Sequence, residues 1–120
     1  MPDARVETWE SIAADHPMPL IDRQRIVGEQ AMLSRVRLHK GFRLHTHEHA
    51  NEQMAVVLSG RVRFGLGAEG SRERREVVVS GGQVLVLPAN VPHSAEALEE
   101  TWILDVFAPP SATTGIDEKR

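Results

Sequence analysis

From residue 31 onward, apolar residues recur at every second position, and glycine-bearing turns break the runs into short pieces. Met32, Ser34, Val36 and Leu38 alternate with Leu33, Arg35, Arg37 and His39. Met54, Val56 and Leu58 alternate with Ala55 and Val57, and Val62, Phe64 and Leu66 with Arg61 and Arg63. Val77-Val78-Val79, Val84 to Leu87 and Trp102 to Phe107 read as further strands. A period of two places alternate side chains on opposite faces of a strand, and little of the chain has helical periodicity. Many short strands separated by Gly41, Ser59-Gly60 and Ser80-Gly81-Gly82 predict an all-β fold, a small antiparallel barrel or sandwich. The stripe Met54, Val56, Leu58 reads as core or dimer packing. Residues 1–24 form an N-terminal arm, in which Thr8 to Ile12 is a short turn or edge segment. Within it His16-Pro17-Met18-Pro19 is an extended connector, because a residue before proline avoids the helical region. The strand-rich domain spans 25–108, and the Pro/Ser/Thr-rich stretch 109–120 reads as a flexible C-terminal tail.

The 120 residues suit one domain with a real core, being 41% hydrophobic. The formal net charge of −3 gives no electrostatic reason to bind nucleic acid or an anionic membrane. The absence of cysteine removes thiolate metal sites, cysteine nucleophiles and disulfides, and the absence of tyrosine removes phenolic acids and bases. No apolar run approaches the roughly 20 residues that span a bilayer, and the N-terminus has no signal-peptide stretch. The expectation is a cytoplasmic protein acting on a small molecule.

The residues that carry chemistry are histidines. They occur as Gly41-x5-His47-x-His49-x3-Gln53-x6-Gly60, then Gly82-x5-Pro88-x4-His93. His47 and His49 share a strand face, Gln53 is in phase if the strand continues after a bend, and Pro88 to Pro92 is a rigid turn delivering His93. Imidazole is the commonest metal ligand near neutral pH. One divalent transition metal (Zn, Ni, Fe, Mn or Co) on His47, His49, Gln53 and His93 would keep positions open for chemistry. A surface histidine cluster is the alternative, since His45 is in phase too. His45 is either a fourth imidazole or a group behind the ligands or at the pocket rim. Glu52 has the opposite parity and faces outward, unless a shifted register puts it in place of Gln53.

These motifs resemble those of the cupin superfamily, G-x5-H-x-H-x3,4-E-x6-G and G-x5-P-x-G-x2-H-x3-N. Gln53 stands at the acidic position of the first, and Asn90 and Ala97 replace the glycine and asparagine of the second. The segments HEHANEQ, AVVLSG and LPANVPHSAEALEETWILDVFAPP resemble more closely the KdgF-like branch. The resemblance implies a small antiparallel cupin jelly-roll barrel, often dimeric, with a metal near its middle. It implies the ligands His47, His49, Gln53 and His93, a catalytic carboxylate at Asp105 and a pocket wall at Phe107. KdgF-type enzymes open 4,5-unsaturated monouronates into linear keto-uronates. That branch carries an arginine soon after its Pro-Pro pair, whereas Ser111-Ala112-Thr113-Thr114 follow Pro109-Pro110 here.

Read from the residues alone, Asp105 has apolar neighbours on both strand faces and is either functional or the partner of a strand arginine such as Arg35 or Arg37. Arg35, Arg37 and Arg43 are substrate-clamp candidates or members of a solvated face. A neutral amide at 53 keeps a bound cation's full charge, which suits Lewis-acid chemistry on a sugar acid more than oxygen activation. A quercetinase-like dioxygenase and a non-catalytic ligand-binding cupin remain the competing functions. A small barrel with apolar edges at Met32-Leu33 and 102–107 is expected to form a homodimer.

Overall fold

The computed structural model describes residues 3–116. Among them are nine strands and one 3₁₀ turn at Trp9–Ser11. The strands are β1 (Ile21–Val27), β2 (Met32–Leu38), β3 (Arg43–His47), β4 (Glu52–Ser59), β5 (Arg61–Leu66), β6 (Arg75–Ser80), β7 (Val84–Leu87), β8 (His93–Ala97) and β9 (Thr101–Ala108). They form two antiparallel sheets, in the orders β1-β2-β9-β4-β7 and β3-β8-β5-β6. The inward faces of the two sheets enclose the core of a small barrel. Among the described residues no helix is long and apolar enough to cross a membrane.

The alternation in the sequence sets which residues face inward. On β2, Met32, Ser34, Val36 and Leu38 are buried, and on β9, Thr101, Ile103, Asp105 and Phe107. Pairing lines these residues up in rows: Val36, Ile103 and Val57; then Ser34, Asp105 and Ala55; then Met32, Phe107 and Gln53. The first row joins Ile21, Leu38, Phe42, Val62 and Val79 in an apolar core. Each large side chain buried there contributes about 1.5–3 kcal/mol. The other rows carry polar groups and form one end of the barrel.

Three expectations about the elements change. The inward residues of β4 are Gln53, Ala55 and Val57, so the stripe Met54, Val56, Leu58 lies on the outer sheet face and is not core. Strand β1 begins at Ile21, inside the arm expected to end at residue 24. Its inward side includes Arg23, buried and held by Asp15 through bonds of 2.9 and 2.6 Å, and charged residues at inward positions hide the alternation. In the stretch expected to be a flexible tail, Thr114 and Gly115 are buried against the barrel; residues 117–120 lie outside the described residues.

Gly60 makes the connection from β4 to β5 possible. Its φ of 91° is left-handed, and an added Cβ would meet the carbonyl oxygen of Glu100 and lie 2.7 Å from the Cα of Thr101. Gly60→Ala is expected to destabilise the fold by about 2 kcal/mol or more, from left-handed strain plus displaced backbone. The midpoint of urea unfolding measures this. An unchanged midpoint would show that the turn has room to relax.

Candidate metal centre

The polar end of the barrel gathers three histidines from separate pieces of chain. His47 ends β3, His49 lies in the following loop, and His93 begins β8, directly across from His47 in the β3–β8 pairing. A bulge between Leu44 and His47 shifts the register, so both of these residues face inward while His45 is exposed. The backbone amide of Asn90 (φ 64°) donates to the carbonyl of His49 at 2.8 Å, which ties the turn before His93 to the first histidine loop. Ring centroids are 4.3 Å apart for His47 and His93, and 5.1 Å for His49 and His93. One nitrogen from each ring lies within 4.8 Å of the others. A shared ion needs separations of up to about 4.2 Å, twice a metal–imidazole bond, so small ring rotations suffice.

The back of each ring is already fixed. Nδ1 of His47 donates to the carbonyl of His45 at 3.0 Å, Nδ1 of His49 to that of Asn51 at 3.1 Å, and Nδ1 of His93 to that of Val91 at 2.9 Å. Carbonyl oxygens only accept, so each neutral ring carries its lone pair on Nε2. This is the arrangement that orients imidazoles toward a metal. His45 thus stands behind His47 through its main-chain carbonyl, and its exposed imidazole lies edge-on to the His47 ring with centroids 6.0 Å apart.

Gln53 and Asp105 complete the layer. The Gln53 amide nitrogen donates to Asp105 Oδ1 at 2.9 Å, and its oxygen lies 3.2 Å from His49 Nε2. A lone pair on that nitrogen therefore faces a lone pair on that oxygen. A cation drawn to both resolves the conflict, so the residues present fit a divalent metal. Glu52 points to solvent, as its parity predicts. Phe107 packs edge-on against His49, with centroids 5.7 Å apart.

Arg35, Arg37 and Arg43 are not brought to this layer. Arg35 lies over Trp102 at 4.8 Å and Trp9 at 5.5 Å, Arg37 pairs with Glu100, and Arg43 is mostly exposed beside Glu96 at 3.1 Å. Their parity is opposite to that of Ser34, Val36 and Leu44, which face inward. Asp105 consequently has Gln53, not a strand arginine, as its hydrogen-bond partner.

Two contributors carried no sequence signal that we read. Asn51 is buried, and its side-chain amide donates to the carbonyl of Pro109. Gly115 (φ 98°) lies so close to His47 that a Cβ would overlap the imidazole. With Thr114 and Ile116 it roofs a cavity of about 40 Å³ bounded by His47, Gln53, His93, Asp105 and Phe107.

Burial pushes the Asp105 carboxyl up to about 7, against a downward pull from the Gln53 hydrogen bond. Burial, with smaller repulsion from His47 and His49, pushes His93 down to about 4, against the hydrogen bond to Val91. In the metal-free protein these shifts have opposite signs. The raised Asp105 stabilises the fold fully below its ordinary value of 3.8, and this is lost as pH rises through about 7. The lowered His93 stabilises it above its ordinary 6.5, and this is lost as pH falls through about 4. Metal-free Asp105→Asn is therefore expected to gain urea resistance as pH rises across that shared window. His93→Gln is expected to lose it. Two variants with the same pH slope as the parent would contradict these assignments.

A family profile described as Cupin domain matches residues 34–107, which include all four motif positions. No curated protein sequence gives a significant match. Among solved structures, an RmlC-like cupin from Shewanella frigidimarina superposes with a TM-score of 0.79 at 18% identity, covering 92% of this chain and 95% of that one. KdgF from Halomonas sp. superposes with a TM-score of 0.72 at 27% identity, covering 85% and 92%. Oxalate decarboxylase from Bacillus subtilis gives 0.76 at 20% identity; 93% of this chain corresponds to 32% of that longer one. With the profile spanning more than half of its residues, the chain belongs to the cupin domain family.

Proposed function

We propose that this cupin is a metal-dependent Lewis-acid catalyst that opens or isomerises a small sugar acid, such as a 4,5-unsaturated monouronate. The observation that carries the reading is the buried chain from Asp105 through the Gln53 amide to His49. His47, His49, His93 and Gln53 would hold one divalent transition metal. Bound there, the metal would supply Lewis-acid polarisation of substrate oxygens without itself needing to change oxidation state. The likeness to KdgF supports the same substrate class.

Asp105 is the residue that moves the proton in this reading. Burial raises its carboxyl in the metal-free protein, and a cation held beside it by Gln53 and His49 would favour the ionised form, which is the base. It accepts a proton from a substrate hydroxyl and returns it to carbon. The amide of Gln53 holds Oδ1, and Phe107 lines the cavity and packs edge-on against His49. Asp105→Asn keeps the shape and removes the base. It is expected to bind metal normally and to lose turnover of an unsaturated monouronate by about 10²-fold or more. Elemental analysis and an ultraviolet assay of the same preparation measure both. Full metal with parental turnover would leave Asp105 a structural partner of Gln53.

The outer face of the five-stranded sheet supports a homodimer. Leu33, Val106, Met54 and Val86 lie side by side across four strands, and Val84 and Val86 are about half exposed. A contiguous apolar face of this kind is covered in most soluble proteins, and a second copy offers the same face by symmetry. Sedimentation is expected to show a dimer at micromolar concentration and a monomer for Val86→Glu with unchanged metal content. A monomeric parent protein would contradict the proposal.

A further inference from the structure

The cavity beside the histidines measures about 40 Å³, room for one or two water molecules. Pockets for small organic ligands start at about 300 Å³. A sugar acid that reaches Asp105 must therefore occupy adjoining space as well. Next to the cavity is a cleft of about 600 Å³, lined by Asp15, Arg23, Arg25 and Met32 on one side and by Pro110, Ser111 and Ala112 on the other.

The two volumes are lined in part by adjoining residues. Met32 in the cleft is the cross-strand neighbour of Phe107 in the cavity. The segment 110–116 supplies the rest, with Pro110 to Ala112 on the cleft side and Thr114 and Ile116 on the cavity side. Arg25 belongs to the same inward row as Asp105, because Arg25 pairs with Ser34 and Ser34 with Asp105. Two strand spacings make the Cα separation about 10 Å. One arginine side chain and a small sugar acid span that distance.

We infer that Arg25 is the carboxylate anchor of the substrate, holding the acid group in this cleft while the reacting carbons extend toward Asp105. This rests on the sugar-acid reading above and names where that acid is bound. The guanidinium is partly buried and loosely engaged. Its hydrogen bonds among the described residues, to Asp15 Oδ2 and to the carbonyl of Ala112, are both 3.4 Å long. Asp15 is held more tightly by Arg23, at 2.6 and 2.9 Å. A carboxylate meets the planar guanidinium with two short charge-assisted bonds, and those outcompete contacts of 3.4 Å. Binding the acid draws Arg25 from the Ala112 carbonyl, one of the contacts on the strap that roofs the cavity. Ser111 lines this same cleft.

Calorimetry on the metal-loaded full chain tests this with two unreactive probes, galacturonate and its neutral counterpart galactose. The parent protein is expected to bind galacturonate about 10-fold tighter than galactose or more. Arg25→Gln is expected to lose that preference while its metal content and galactose affinity stay unchanged. Arg25→Lys, which keeps the charge without the fork, is expected to retain part of it. With an unsaturated monouronate, Arg25→Gln should raise KM more than it lowers kcat. A parent protein without the acid preference, or an Arg25→Gln variant that keeps it, would overturn the inference. Ring opening can fail while the Arg25-dependent preference stands, and can proceed with Arg25→Gln unaffected, so the two readings fall separately.

Discussion

The hydrogen bond from the Gln53 amide nitrogen to Asp105 decides how the polar end of the barrel is wired. An amide has unlike ends, and an ionised carboxylate accepts only. Once Asp105 takes the nitrogen, the oxygen must point the other way, and there it meets Nε2 of His49. A glutamate at position 53 would set two carboxylates against each other in a buried site. The amide at this position thus avoids that repulsion and gives Asp105 a hydrogen-bond donor, as the proposed role of Asp105 beside a cation needs. The backbone carbonyls behind the three imidazoles complete the arrangement, since each fixes a ring nitrogen and directs the other inward.

The barrel provides this geometry by register rather than by any special segment. Rows across β2, β9 and β4 change from Val36, Ile103 and Val57 to Ser34, Asp105 and Ala55 within two residues. The apolar rows stabilise the fold, and the polar rows carry the groups to which the proposed chemistry is assigned. Burial then makes the polar row unlike water, raising Asp105 and lowering His93 in opposite directions.

Parity explains what the sequence revealed and what it hid. Asp105 and Phe107 share a strand face with Ile103, so their inward direction was legible, and so was the outward direction of Glu52. The spacing of His47, His49 and His93 identified the cluster, although His49 sits beyond the strand. The bulge before His47 was not legible, because a register shift leaves no mark in composition; it turned His45 outward. Strand β1 was missed because arginines occupy its inward side. The segment 111–116 reads as loose because Ser-Ala-Thr-Thr-Gly-Ile has no apolar period. Its packing depends on Gly115 fitting flat against His47, a contact only a tertiary structure can show.

The central claim is that one cation sits among His47, His49, His93 and Gln53. Anomalous diffraction from metal-loaded crystals, recorded at the metal's absorption edge, tests it most directly. The account predicts a single peak about 2.0–2.2 Å from Nε2 of each histidine and from the Gln53 oxygen. A peak bound through Nδ1 atoms, or one that takes Glu52 in place of Gln53, would contradict it.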